Sequence, residues 1–172
     1  MKIFVINGIP KCGKDTFIGF VDSLYDGRVC NISTVDVIKD VATLLGWEGT
    51  KTTESRNFLS DLKDLSTRFN GFPFHNICEK VYVIGVKHSL EIDTIKEPLV
   101  FIHSREIPEV ARFKNELGAE TILVVRDIPN EGSRHSDTEV ANYDYDYTIY
   151  NDQQLEGLQE SARQFVSLNN QL

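Results

Sequence analysis

Five short runs of apolar and β-branched residues, at 2–6, 29–32, 99–103, 121–126 and 145–150, have the length and composition of buried strands. Between them the apolar residues change period. Residues 14–25 follow a glycine-rich loop and read as a helix. Over 35–46, Val35, Ile38, Val41 or Ala42, and Leu45 recur at helical spacing, and the pattern stops near Gly46. Over 54–70, Phe58, Leu62, Leu65 and Phe69 form one stripe. The stretch 73–92 carries both signals. Val81-Tyr82-Val83-Ile84 has the composition of a strand, yet Phe74, Ile77 or Cys78, Val81, Ile84 and His88 keep a helical period. Pro73 suits a first helical position, so the spacing predicts a helix. Further helices are predicted over 107–117, ending at Gly118, and over 153–168.

Alternating strands and helices predict an α/β domain, a five-stranded parallel sheet with helices on both faces. No internal repeat, low-complexity tract or linker interrupts it, so residues 1–172 read as one domain. In such a sheet ligands collect beyond the carboxyl ends of the strands, and residues placed there are the ones to weigh for function.

Charge narrows the partners. The net charge of −8 argues against a nucleic-acid surface, which needs a basic face. It leaves nucleotides open, because a local cluster of Lys, Arg and metal can hold a phosphate. Cys12, Cys30 and Cys78 are odd in number and lack CxxC spacing, which fits a reducing compartment and argues against zinc or a disulfide framework. No apolar run approaches the roughly 20 residues of a membrane span. The apolar stretch 3–6 is too short for a signal peptide, so the cytoplasm is the expected location.

The chemistry concentrates after the first strand. Gly8-Ile9-Pro10-Lys11-Cys12-Gly13-Lys14-Asp15-Thr16 matches GxxxxGK at its fixed positions, between a predicted strand and a predicted helix. The glycines let the backbone curl until successive N–H groups point at phosphate oxygens, and the helix N-terminus adds partial positive charge. Lys14 would reach the β- and γ-phosphates, and Thr16 supplies a hydroxyl for the α-phosphate. ATP·Mg²⁺ is the implied cofactor. Asp15 stands where Ser or Thr is usual. Two readings are open for it: a magnesium ligand, directly or through water, or a first-turn acid favoured by the helix dipole.

A Gly-Lys-Asp-Thr loop in a chain of this length resembles the phage and bacterial deoxynucleoside monophosphate kinases, which have an adenylate kinase-like, three-layer P-loop NTPase fold. Phosphomevalonate and dephospho-CoA kinases are relatives of that family. Ser33-Thr34-Val35-Asp36-Val37-Ile38-Lys39 is similar to the family segment in which an Asp and a Lys face the phosphate acceptor. For Asp36 and Lys39 the plainer alternative is a first-turn helix charge and a solvated lysine. The resemblance also implies an acceptor-binding role for Arg56 on the third helix. Arg105 and Arg126 follow the third and fourth strands, where a guanidinium fork suits phosphate oxygens. Residues 127–139 occupy the place of the family's lid, in which Arg134 and His135 could close over the phosphates, while 136–139 also read as a capping box. Asn151-Asp152 resembles the Asn-Asp turn near the adenine, and Asp152 also suits the N-cap of the last helix.

One position departs from the resemblance. Similar kinases often carry an aspartate at the end of the third strand to organise magnesium, and here the residue is His103. The expected activity is transfer of the γ-phosphoryl of ATP to a (deoxy)nucleoside monophosphate, with Lys14, Arg105, Arg126 and Asp36 at the reacting groups. A phosphorylated metabolite as acceptor, or a weakly active nucleotide sensor, are the alternatives. The expected partner is a small-molecule acceptor, with no nucleic acid or membrane, and the chain is a monomer or homodimer.

Overall fold

The computed structural model describes residues 1–91, 96–126, 140–152 and 155–170. Its strands are β1 (Lys2–Asn7), β2 (Val29–Ser33), β3 (Leu99–His103), β4 (Glu120–Val125) and β5 (Tyr147–Tyr150). The helices are α1 (Lys14–Leu24), α2 (Asp36–Leu44), α3 (Thr53–Asn70), α4 (Phe72–Leu90), α5 (Ile107–Leu117) and α6 (Leu155–Asn169), with a short 3-10 turn at Val140–Asn142. All five strands are parallel, in the order β2-β3-β1-β4-β5.

The period-two alternation of the strands builds two cores. Phe4 and Ile6 of β1, Leu99 and Phe101 of β3, and Ile122 and Val124 of β4 face Phe17 and Val21 of α1 and Leu158, Ala162 and Phe165 of α6. Val5, Val100 and Ile102 point the other way, onto Phe74, Ile77 and Val81 of α4 and Val110 and Phe113 of α5. Both layers are closed by rings in contact, Phe4 on Phe101 at 5.3 Å and Phe74 on Phe113 at 4.7 Å.

The ambiguous stretch after Pro73 is helix. Phe74, Ile77 and Val81 lie on the sheet side, while Tyr82 and Val83 are 71% and 41% exposed, so the strand-like run splits between core and solvent. Gly71, in the left-handed region at φ 68°, ends α3 and starts α4, a turn that strongly favours glycine. The last strand begins at Tyr147 rather than at 145. Tyr145 and Asp146 spend their side chains on brackets instead: Asn7 donates to the Tyr145 hydroxyl at 2.9 Å, and the Thr121 N–H and hydroxyl donate to Asp146, each at 2.8 Å. The lid segment 127–139, with Arg134, His135 and the expected capping box, lies outside the described residues.

The chain runs from β1 out to β2, returns to β3 beside β1, and then crosses to β4 on the other side of β1. The carboxyl end of β1 is therefore the topological switch point, where a crevice opens. Residues 8–13 sit there.

Candidate functional site

Sterics shape the loop after β1. Gly8 has φ 142°, and a Cβ on it would lie 2.5 Å from the Val124 carbonyl oxygen and 2.7 Å from Cys12 Sγ. Gly13 has φ 107°, and its Cβ would lie 2.5 Å from Asn151 Nδ2. Both positions exclude any side chain. Two buried amides hold the curl. Asn7 Oδ1 accepts the Gly8 N–H at 2.7 Å, and Asn151 Nδ2 donates to the Cys12 carbonyl at 2.8 Å.

Gly13 is the N-cap of α1 and offers no side-chain acceptor, so the first-turn N–H groups lack intrahelical partners. At that helix end a cavity of about 380 Å³ opens. Lys11, Lys14, Asp15, Thr16, Arg126 and Asn151 give it polar walls, and Leu155 and Leu158 of α6 an apolar one. Such a cavity, with free N–H groups and cations at one end, matches the needs of a phosphate chain attached to a flat ring. Arg126 leaves the β4 ladder to reach it, donating from Nη1 to the Lys11 carbonyl at 3.4 Å.

Lys14 folds back over the loop. Its Nζ donates to the Gly8 carbonyl at 2.5 Å and the Ile9 carbonyl at 2.9 Å, and lies 3.4 Å from Cys12 Sγ. Burial pushes its pKa below the usual lysine value; Cys12 and Asp15 pull the other way, and Arg105 adds to the depression. Cys12 itself is fully buried in the core beneath the loop, so it presents backbone rather than thiol to the cavity.

On the β3 side the structure gathers His103, Asp15, Lys14, Asp36 and Arg105 into one electrostatic neighbourhood. His103 Nε2 lies 3.5 Å from Asp15 Oδ1 but makes no hydrogen bond among the described residues. Burial lowers the imidazole pKa, with Lys14 and Arg105 acting in the same sense against Asp15 and Asp36. The contact is consequently between a carboxylate and a neutral ring, and Asp15, 86% exposed, remains solvated. Asp36 closes the turn that leads into its own helix. Its Oδ2 accepts the Ser33 N–H at 2.9 Å while Ser33 Oγ accepts the Val35 N–H at 3.3 Å, two bonds that brace the step from β2 to α2. Lys39 pairs with Asp36 at 3.5 Å. Arg56 is exposed on α3, and among the described residues no ion pair joins it to this cluster.

Sequence reasoning missed Asn7, a buried amide at the end of an apolar strand, whose Nδ2 also donates to the Arg105 carbonyl at 3.4 Å. A polar residue closing a strand directly before the loop was the available signal. Asn151, expected near the adenine, lines the cavity, and its amide also buttresses the loop. Lys63, Ser104 and Glu109, which meet behind the Arg105 segment, carry no sequence signal.

Among the described residues no group of three or more His, Cys, Asp or Glu side chains could hold a metal ion. Asp15, which lines the cavity, is a carboxylate that could meet a magnesium ion held mainly by phosphate oxygens and water.

No protein-family model and no curated protein sequence matches this chain. Solved structures do. An unliganded sugar kinase from Janibacter sp. HTCC2649 superposes over 97% of this chain and 95% of its own, with a TM-score of 0.52 and 13% identity. This chain has a kinase-like P-loop fold. A second protein, from Thermus thermophilus, covers 97% of both chains with a TM-score of 0.47 and 13% identity. No helix among the described residues is long and apolar enough to cross a membrane.

Proposed function

We propose that the protein is an ATP-dependent phosphotransferase that moves the γ-phosphoryl of ATP·Mg²⁺ to a (deoxy)nucleoside monophosphate. The observation that carries this reading is the convergence of Lys14, Arg105, Asp36 and His103 at the carboxyl edge of the sheet, beside a cavity of about 380 Å³ walled by Lys11, Lys14, Thr16 and Arg126. Little covalent chemistry falls to the protein in such a transfer, so catalysis rests on alignment and on neutralising charge. The backbone N–H groups at the start of α1 would hold the phosphate chain. Lys14 would exchange the Gly8 and Ile9 carbonyls for phosphate oxygens, and Leu155 would face the base. Arg105 would grip the acceptor phosphate on the β3 side and Arg126 the donor on the β4 side. Asp36 and Lys39 would orient the acceptor; its phosphate oxygen is already ionised and needs no strong base. Magnesium, when bound, supplies further neutralisation of the β- and γ-oxygens.

A second reading, a weakly active nucleotide sensor, draws on His103, a neutral ring where similar kinases carry a carboxylate. One assay separates them: coupled turnover with ATP·Mg²⁺ against a panel of nucleoside monophosphates and phosphorylated metabolites. Turnover of a nucleoside monophosphate that disappears in Lys14→Ala is the expected result. Turnover confined to a non-nucleotide phosphate would reassign the acceptor. Nucleotide binding without turnover on any acceptor would favour the sensor.

A further inference from the structure

The helix α3 poses a physical problem. It runs for 18 residues without a single buried side chain. A helix of that length in water draws most of its stability from an amphipathic face packed on something. Its neighbour α4 has that packing, through Phe74, Ile77 and Val81. The apolar stripe of α3 does not: Phe58 is 37%, Leu65 58% and Phe69 82% exposed, and Leu62 is half-buried. The side turned to its own protomer carries Ser55, Leu59, Lys63 and Ser66, all only partly covered. A contiguous apolar strip rimmed by polar residues marks an interaction surface.

The pattern on the strip specifies its occupant. Phe58, Leu62, Leu65 and Phe69 are spaced four, three and four apart, the seam of a helix pair. The spacing reads the same in both directions. An antiparallel copy of the helix related by a two-fold axis would set Phe58 against the partner's Phe69 and Leu62 against the partner's Leu65, each twice. The charges agree. Asp61 and Arg68 lie on the solvent flank of the stripe, both exposed, and neither has an ion pair among the described residues. In the antiparallel pairing Asp61 meets the partner's Arg68, and Arg68 meets the partner's Asp61. A parallel pairing, in which each flank faces the opposite flank of the partner helix, would not bring Asp61 and Arg68 together.

We infer that the protein forms a homodimer through α3, two copies packing antiparallel about a two-fold axis near Lys63 and Asp64, with Phe58, Leu62, Leu65 and Phe69 as the apolar seam and Asp61–Arg68 as the flanking ion pairs. This inference is independent of the acceptor and of catalysis.

The test is mass in solution, by light scattering on a sizing column at tens of micromolar protein, with circular dichroism confirming the fold of every variant. The wild type should have twice the mass of one chain. Leu65→Glu should have the mass of one chain. Asp61→Arg should weaken the dimer at least tenfold by setting two arginines against each other, and Asp61→Arg/Arg68→Asp should restore it. Leu168→Glu, which alters an exposed leucine on α6, should leave the mass doubled. A monomeric wild type would overturn the inference, as would a dimer that survives Leu65→Glu or is lost in Leu168→Glu. A double charge swap that fails to restore pairing would overturn the antiparallel arrangement.

Discussion

Lys63 of α3 and Glu109 of α5 form an ion pair of 3.1 Å whose side chains are only 14% and 11% exposed, and the same carboxylate oxygen accepts the Ser104 hydroxyl at 2.5 Å. The pair ties the otherwise loosely held α3 to the segment that carries Arg105. Glu109→Ala would leave a nearly buried ammonium and a buried hydroxyl without their acceptor. It should cost about 3 kcal/mol of unfolding free energy in urea. Lys63→Met/Glu109→Leu, which removes both charges, should recover more than half of that loss.

Lys14 makes two hydrogen bonds to loop carbonyls that phosphate oxygens would replace. Lys14→Ala should lower ATP·Mg²⁺ affinity by about tenfold to a hundredfold, the range for a charged hydrogen bond. Titration calorimetry on both proteins checks this, with urea midpoints to show that the fold survives.

Cys12 should resist alkylation in the folded protein whether or not nucleotide is present, since its side chain is fully buried beneath the loop. A thiol facing the cavity would do the opposite, open until ATP shielded it. Peptide mapping after iodoacetamide, native against denatured, distinguishes them; ATP-sensitive labelling of Cys12 would contradict the packing.

Arg105 is the arginine beside Lys14 and His103. If its guanidinium holds an acceptor phosphate by two parallel bonds, Arg105→Lys should raise the acceptor KM about tenfold or more while leaving ATP affinity near wild type. Steady-state kinetics with each substrate varied in turn gives the split.

His103 titrates below the ordinary histidine value, chiefly through burial. Well above pH 6.5 the ring is neutral in both the folded and unfolded chains and contributes nothing to pH dependence. As pH falls below 6.5 the unfolded chain takes up the proton first, so stability declines, by at most about 1.4 kcal/mol per pH unit, until the folded pKa is passed. His103→Gln should flatten urea stability against pH in that window.

The strands, the helices and the phosphate loop were legible in the chain itself, because each rests on local chemistry. Alternating residues such as Phe4 and Val5 go to opposite faces of any sheet. Gly8 and Gly13 are needed wherever the backbone must curl so tightly, and Gly71 ends one helix and begins the next. Even the strand-like run 81–84 was readable as helix, since Phe74, Ile77 and Val81 set a period that four adjacent apolar residues do not cancel. Which groups meet was settled only by the fold. Strand order brings His103 to Asp15 and carries Arg126 to the far side of the loop from Arg105, and no sequence spacing encodes either distance. Asn7, Asn151 and Glu109 find their partners across 98, 139 and 46 residues of chain. The apolar stripe of α3 was visible at once in the sequence, but only the folded chain shows that the described residues of its own protomer leave Leu65 and Phe69 largely uncovered. Periodicity tells a helix which side chains share a face, and burial depends on what the rest of the chain places against them.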